Sequence, residues 1–178
     1  MGYIDSGKKD GATVHIGGER HGKEGYFIQP TVFSDTRPDM RIVQEEIFGP
    51  VGVVIKFKDE DDVLLQANDT LYGLAAAVFT KDLNRAITTA HKLKSGTVWV
   101  NCYNVLNSNV PFGGFKQSGI GREQGQYALD QSVPFPNRIW PIQPYRWIQL
   151  HRGQSYSCQP RTQDVNLSIP SMTPICIL

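Results

Sequence analysis

The stretch GTVWVNCYNV, residues 96–105, sets a continuous apolar run, Val98-Trp99-Val100, between a glycine and an asparagine, with Cys102 just beyond. A short run without polar alternation fits a strand covered on both faces, as in a parallel sheet flanked by helices. LAAAVFT (74–80) has the same character. Between the two, KDLNRAITTAHKLKSG (81–96) places Leu83, Ala86, Ile87, Ala90 and Leu93 at helical spacing, with Lys92 and Lys94 in the last turn and Gly96 as the stop. Strand, helix, strand is the rhythm of an α/β domain with a mostly parallel sheet.

The same alternation extends upstream. EDDVLLQANDT (60–70) opens with acids that suit a positive helix N-terminus and puts Val63, Leu64 and Ala67 on one face. GPVGVVIKF (49–57) and GYFIQPTVF (25–33) read as strands, the second with Pro30 marking an edge or a bulge. GGERHGKEG (17–25) is polar and broken by glycine, so it reads as a surface turn.

After about Asp130 the composition changes. Residues 131–178 hold seven of the eleven prolines, four arginines and one acid, which leaves a net −2 on residues 1–130 out of the total of +1. The chain therefore divides into an α/β part, 1–130, and a Pro/Arg-rich tail, 131–178, expected to be irregular or disordered. The tail aromatics Phe135, Trp140, Tyr145 and Trp147 are candidates for local docking.

A net charge of +1 gives no electrostatic case for nucleic acid or an anionic membrane. No run reaches the roughly 18 apolar residues of a membrane span, and the N-terminus lacks a secretory pattern, so the expected location is cytoplasmic. Cys102, Cys158 and Cys176 form no Cys-x-x-Cys pair and have no histidine at ligand spacing, which argues against a disulfide framework or a zinc site. MGYIDS fits a loose acylation template, Cys176 misses the prenylation register, and the sequons at Asn68 and Asn166 read as chance matches without a secretion signal.

Three places could carry chemistry. Glu45 and Glu46 are adjacent, so they would point different ways. They read either as a charged turn before a strand or as a carboxylate facing a cleft, where its lone pairs suit a diol such as a ribose. PFGGFKQSGIGRE (111–123) follows neither the dinucleotide fingerprint nor the Walker pattern and reads as a packed loop, with Arg122 and Glu123 opening a helix. Cys102 has Asn101, Tyr103 and Asn104 as neighbours, none of them a base or a cation that would generate a thiolate, so it reads as a packing thiol. His91 reads as a solvated helix residue.

Taken together and in this order, GYFIQPTVF, EEIFGPV, YGLAAAVFT, GTVWVNCYN and PFGGFKQSGIGRE resemble the closing portion of the catalytic domain of NAD(P)-dependent aldehyde dehydrogenases. The resemblance runs from about Gly2 to about Asp130. It implies oxidation of an aldehyde to an acid with NAD or NADP, by way of a cysteine thiolate, an oxyanion-binding asparagine and a general-base glutamate. In the family all three lie upstream of the matched motifs, so no catalytic residue is assigned here, no metal is expected, and the chain alone is expected to be inactive. Residue by residue, Glu46 resembles the glutamate that holds the nicotinamide ribose and Phe48 the aromatic beside the nicotinamide ring. Phe112 resembles a wall of the aldehyde tunnel, with Asn104 and Leu106 at positions near its mouth. Beyond Asp130 the family's terminal edge strand is replaced by the tail, which leaves an unpaired sheet edge as the expectation. Two other readings stay open: a binding module that pairs with full-length subunits, and a fragment produced by gene assembly.

Overall fold

The computed structural model describes residues 1–132, 147–150 and 175–177. The chain divides into two compact units, Met1–Asp62 and Val63–Leu178.

The first unit opens with α1 (Gly2–Lys9), followed by β1 (Thr13–Ile16), β2 (Thr31–Ser34), the short α2 (Arg41–Gln44) and β3 (Val51–Val53). Its sheet has the order β1-β2-β3, with β1 antiparallel and β3 parallel to β2. The strands are shorter than the sequence suggests. Pro30 and Pro50 have no N–H to give a ladder, and β2 and β3 begin just after them. Tyr26 and Phe27, read as strand residues, instead stand exposed in the turn that closes with a bridge between Arg20 and Ile28. The core gathers Ile4, Ala12, Phe33, Met40 and Ile42. Gly7 lets α1 approach this core closely, because a Cβ there would lie 2.9 Å from Ile42 Cδ1.

The unit boundary falls within α3 (Glu60–Asn68), whose start is fastened reciprocally: the Asp62 N–H donates to Asp59 Oδ1 and the Lys58 N–H to Asp62 Oδ2. The second unit then carries β4 (Ala75–Val78), α4 (Leu83–Lys92), β5 (Thr97–Val100), a 3₁₀ turn (Lys116–Ser118) and α5 (Gly125–Ser132). β4 and β5 pair in parallel and every one of their residues is buried. One side packs Leu64, Ala67, Ala76, Val78, Ala90, Leu93 and Val98, the other Ala75, Ala77, Trp99 and Cys102. This two-sided burial is what the unalternating apolar runs require. On α4 the Asp82 carboxylate caps the N-terminus by accepting from the Arg85 N–H, Ala86 and Ala90 face the core, and Leu83 stays exposed.

Two expectations change. Arg122 and Glu123 do not open a helix: Glu123 exchanges backbone hydrogen bonds with Phe112, and α5 begins at Gly125. The second sheet is also not left with open edges at β4 and β5, because β6 (Trp147–Leu150) adds in parallel to β5 and β7 (Ile175–Ile177) adds antiparallel to β4. Both segments are short, mostly apolar runs in the sequence, and the Pro/Arg composition of the tail as a whole hides them. Phe135, Trp140, Tyr145, Cys158 and Asn166 lie outside the described residues. No helix among the described residues is long and apolar enough to cross a membrane.

Candidate functional site

The residues singled out by the sequence fall into two groups, one in each unit. In the first, α2 ends at Glu45, which turns to extended backbone (φ −106°, ψ 150°) while its N–H donates to the Arg41 carbonyl. The Glu45 carboxylate accepts from the Tyr3 hydroxyl at 2.8 Å and from Arg41 Nε at 2.9 Å, and the guanidinium lies 4.3 Å from the centre of the Tyr3 ring. The Tyr3 hydroxyl, and after it Arg41, hold the Glu45 carboxyl below its ordinary range.

Beyond Glu45 the chain alternates. Ile47 packs against the core of the first unit, while Glu46 before it and Phe48 after it are exposed, Phe48 by 91%. Glu46 makes no hydrogen bond or ion pair among the described residues. The result is one carboxylate that is tied down beside one that is free, and an aromatic ring two residues further on with its surface available. A free carboxylate can accept from hydroxyl donors, and an open ring can lie against another apolar surface.

In the second unit Trp99 organises the neighbourhood. Its ring is buried between β4 and the loop that follows β5, its indole N–H donates to the Val105 carbonyl at 2.8 Å, and it meets Tyr103 edge to face at 5.6 Å. Val105 sits between Asn104 and Leu106, so this bond ties down the loop that carries both. Asn104 adopts a left-handed conformation (φ 54°), and Leu106 is 52% exposed. Phe112 packs half-buried against the Ala75, Ala77, Trp99 and Cys102 cluster. Phe112 packs on the cluster that holds Trp99, and Trp99 bonds the residue between Asn104 and Leu106.

Cys102 belongs to that cluster. It is 6% exposed, and burial pushes its thiol up, with a smaller opposing effect from the Val100 backbone. Such a thiol keeps its proton and is a poor nucleophile. Asn101 at the strand end does structural work: its amide donates to the Thr80 carbonyl and accepts from the Thr80 N–H, at 2.9 Å and 2.8 Å. His91 is exposed on α4.

The glycine-rich loop is packed. A Cβ on Gly96 would overlap the Gly113 carbonyl oxygen, so β5 can begin where it does only with glycine. Lys116 from the same loop donates to the Asn68 and Thr70 carbonyls, both at 2.9 Å, and closes the end of α3. A small crevice nearby is lined by Thr70, Tyr72, Gly73, Lys94 and Ser95, and Glu46, Phe48, Asn104, Leu106, Phe112 and Cys102 are not among its lining residues. No cluster of metal-ligating side chains occurs among the described residues.

Tyr3, Arg41 and Trp99 were not legible as site residues. A tryptophan in a buried strand must find an acceptor for its N–H, which was a signal for Trp99, but the Tyr3 to Glu45 contact spans 42 residues and leaves no local pattern.

Comparison with known proteins agrees with this architecture. The family model described as the aldehyde dehydrogenase family matches residues 1–134. An aldehyde dehydrogenase of Agaricus bisporus is 70% identical over 129 residues, covering 72% of this chain and 26% of that protein. Aldehyde dehydrogenase 1A1 of Oryctolagus cuniculus is 59% identical over 131 residues, with 74% and 26% covered. Among solved structures, an NAD+ complex of the Bacillus cereus aldehyde dehydrogenase superposes with a TM-score of 0.69 at 56% identity, over 72% of this chain and 26% of that one. Betaine aldehyde dehydrogenase of Staphylococcus aureus with NAD+ gives 0.69 at 47% identity, over 73% and 27%. The chain spans about a quarter of the length of the relatives it matches. With the family model covering residues 1–134, this chain belongs to the aldehyde dehydrogenase family.

Proposed function

We propose that residues 1–130 form the part of an NAD(P)-dependent aldehyde-oxidising enzyme that holds the nicotinamide end of the cofactor and lines the aldehyde side, with 131–178 a tail that contributes β6 and β7 to the second sheet. The observation that carries the cofactor role is the contrast between Glu45, held by Tyr3 and Arg41, and Glu46, exposed and free among the described residues. Glu46 would accept both hydroxyls of the nicotinamide ribose, and Phe48 would lie against the ring and keep water from it. When bound, NAD or NADP supplies the hydride acceptor. Phe112 gives the aldehyde an apolar wall, and Asn104 and Leu106 border its entrance. The nucleophile, base and oxyanion donor that the family uses are not assigned to any residue of this chain, and Cys102, buried with its thiol pushed up, is a packing residue. The chain by itself is therefore expected to leave aldehydes unoxidised. A cytoplasmic location belongs to the same reading.

The alternative reading is a binding module that docks on full-length subunits through sheet edges, which in the second sheet would be those of β6 and β7.

The test is a chimera in which the α/β part of this chain, 1–130, replaces the matching segment of the Agaricus bisporus enzyme, whose 70% identity over 129 residues favours a foldable hybrid. Loss of the charge-assisted bonds to a diol by Glu46→Gln should raise KM for the cofactor roughly tenfold or more. An unchanged KM and kcat would contradict the assignment.

A further inference from the structure

We propose that Tyr3, Arg41 and Glu45 form a positioning clamp that keeps the Glu46 carboxylate available to the cofactor ribose; this rests on the reading of Glu46 given above. Arg41 is the cation nearest in sequence to both glutamates, and without a better partner its guanidinium would be drawn to Glu46 as readily as to Glu45. The structure resolves the competition in favour of Glu45. The two are four residues apart across α2 and its end, the spacing that lets side chains meet, and Arg41 Nε reaches Glu45 Oε2 at 2.9 Å. The ring of Tyr3 supports the guanidinium from one side at 4.3 Å, and its hydroxyl adds a second donor to the same carboxylate oxygen at 2.8 Å.

The clamp has two consequences for Glu46. With the Glu45 side chain held towards α1, the next residue of an extended chain must project the other way. With Arg41 already neutralised, no cation among the described residues pairs with the Glu46 carboxylate that would meet a ribose diol. Ile47, packed into the core, fixes the far side of Glu46 in the same sense. Tyr3, Arg41 and Glu45 are thus positioning residues: they act on the cofactor through Glu46 and do not touch it themselves.

The experiment uses the full-length chimera with NAD as the varied ligand. Tyr3→Phe, which keeps the ring and removes one hydroxyl, should raise KM for NAD about threefold, and Glu45→Gln should raise it further, with KM for the aldehyde unchanged. Adding Arg41→Gln to Glu45→Gln should return KM for NAD to within about twofold of the parent, because the competing cation is gone. A general loosening of the fold would give no such recovery. If Glu46→Gln weakens NAD while Tyr3→Phe and Glu45→Gln leave it unchanged, or if the double variant shows no recovery, the clamp is overturned while the role of Glu46 stands. If Glu46→Gln itself has no effect, the role of Glu46 falls and the clamp falls with it. The switch is also visible without turnover, in a crystal structure of the 178-residue chain carrying Glu45→Gln. There the Arg41 guanidinium should lie within hydrogen-bond reach of Glu46, and an Arg41 left in solvent would contradict the proposal.

Discussion

The two sheets use their residues in opposite ways. In the first unit β1 is largely exposed, β3 is half-buried, and of the three strands the central β2 alone sits deep in the core, so the sheet has a buried centre and open edges. In the second unit β4 and β5 are buried throughout and carry apolar layers on both faces. The difference separates the tasks assigned to the two units. The open unit leaves Glu46 and Phe48 at its surface with their neighbours tied down, and the closed unit uses its density to hold a loop, 102–106, against Trp99. Freedom of the side chain is the useful property in one and fixation of the backbone in the other.

The sharpest way to break this contrast is to add the same methyl group to both units. Gly96→Ala places a Cβ on the Gly113 carbonyl oxygen, a backbone atom that cannot rotate away, and should destabilise the second unit by about 3 kcal/mol or more. Gly7→Ala meets Ile42 Cδ1 at 2.9 Å and the buried Phe33 ring at 3.1 Å, but these are side-chain atoms that can shift and about 1 kcal/mol of helix propensity is gained within α1, so its net loss should be smaller, about 1–2 kcal/mol. Urea unfolding of the two variants measures both. Similar losses would mean that the first unit is as tightly packed as the second.

A smaller effect is expected from Asn101→Ala. It removes both bonds to Thr80 and leaves alanine at φ 55°, for a loss of about 2 kcal/mol in the same assay. A loss well below that would show that the Thr80 contact adds little to the end of β5.

The smallest expected effect belongs to the first unit and depends on pH. Glu45 titrates below its ordinary value, chiefly through the Tyr3 hydroxyl and then Arg41, so its contribution is present above pH 4.5 and lost as pH falls through the lowered native value. Tyr3 titrates above its ordinary value of 10.0, chiefly through the bond to Glu45, so that contribution is present below this pH and lost as pH rises through the raised native value. Because these groups are exposed, the change in Tm should be slight at both ends, and Tyr3→Phe should reduce it. A Tm profile identical in the two proteins would remove the bond from the account.

The same contrast explains what the sequence disclosed. β4, β5, α3 and α4 were legible because an unalternating Ala/Val/Trp run and a helical stripe ending in Leu93 each specify their environment locally. In the first unit the aromatic stretch ahead of Pro30 imitated a strand, yet Tyr26 is 98% exposed, because its backbone belongs to a turn and no partner strand reaches it. Motif order pointed to Glu46, Phe48 and Phe112, whereas the partners that hold their surroundings, Tyr3 and Trp99, depend on contacts that no local pattern encodes. β6 and β7 escaped for a related reason: short strands that join existing edges need little periodicity of their own.

The most direct test of the account is steady-state aldehyde oxidation by the full-length chimera with Cys102→Ala and Glu46→Gln compared in parallel. The account predicts that Cys102→Ala retains kcat and KM for NAD, while Glu46→Gln raises KM for NAD roughly tenfold or more. Loss of turnover in a folded Cys102→Ala chimera, with Glu46→Gln behaving as the parent, would contradict it.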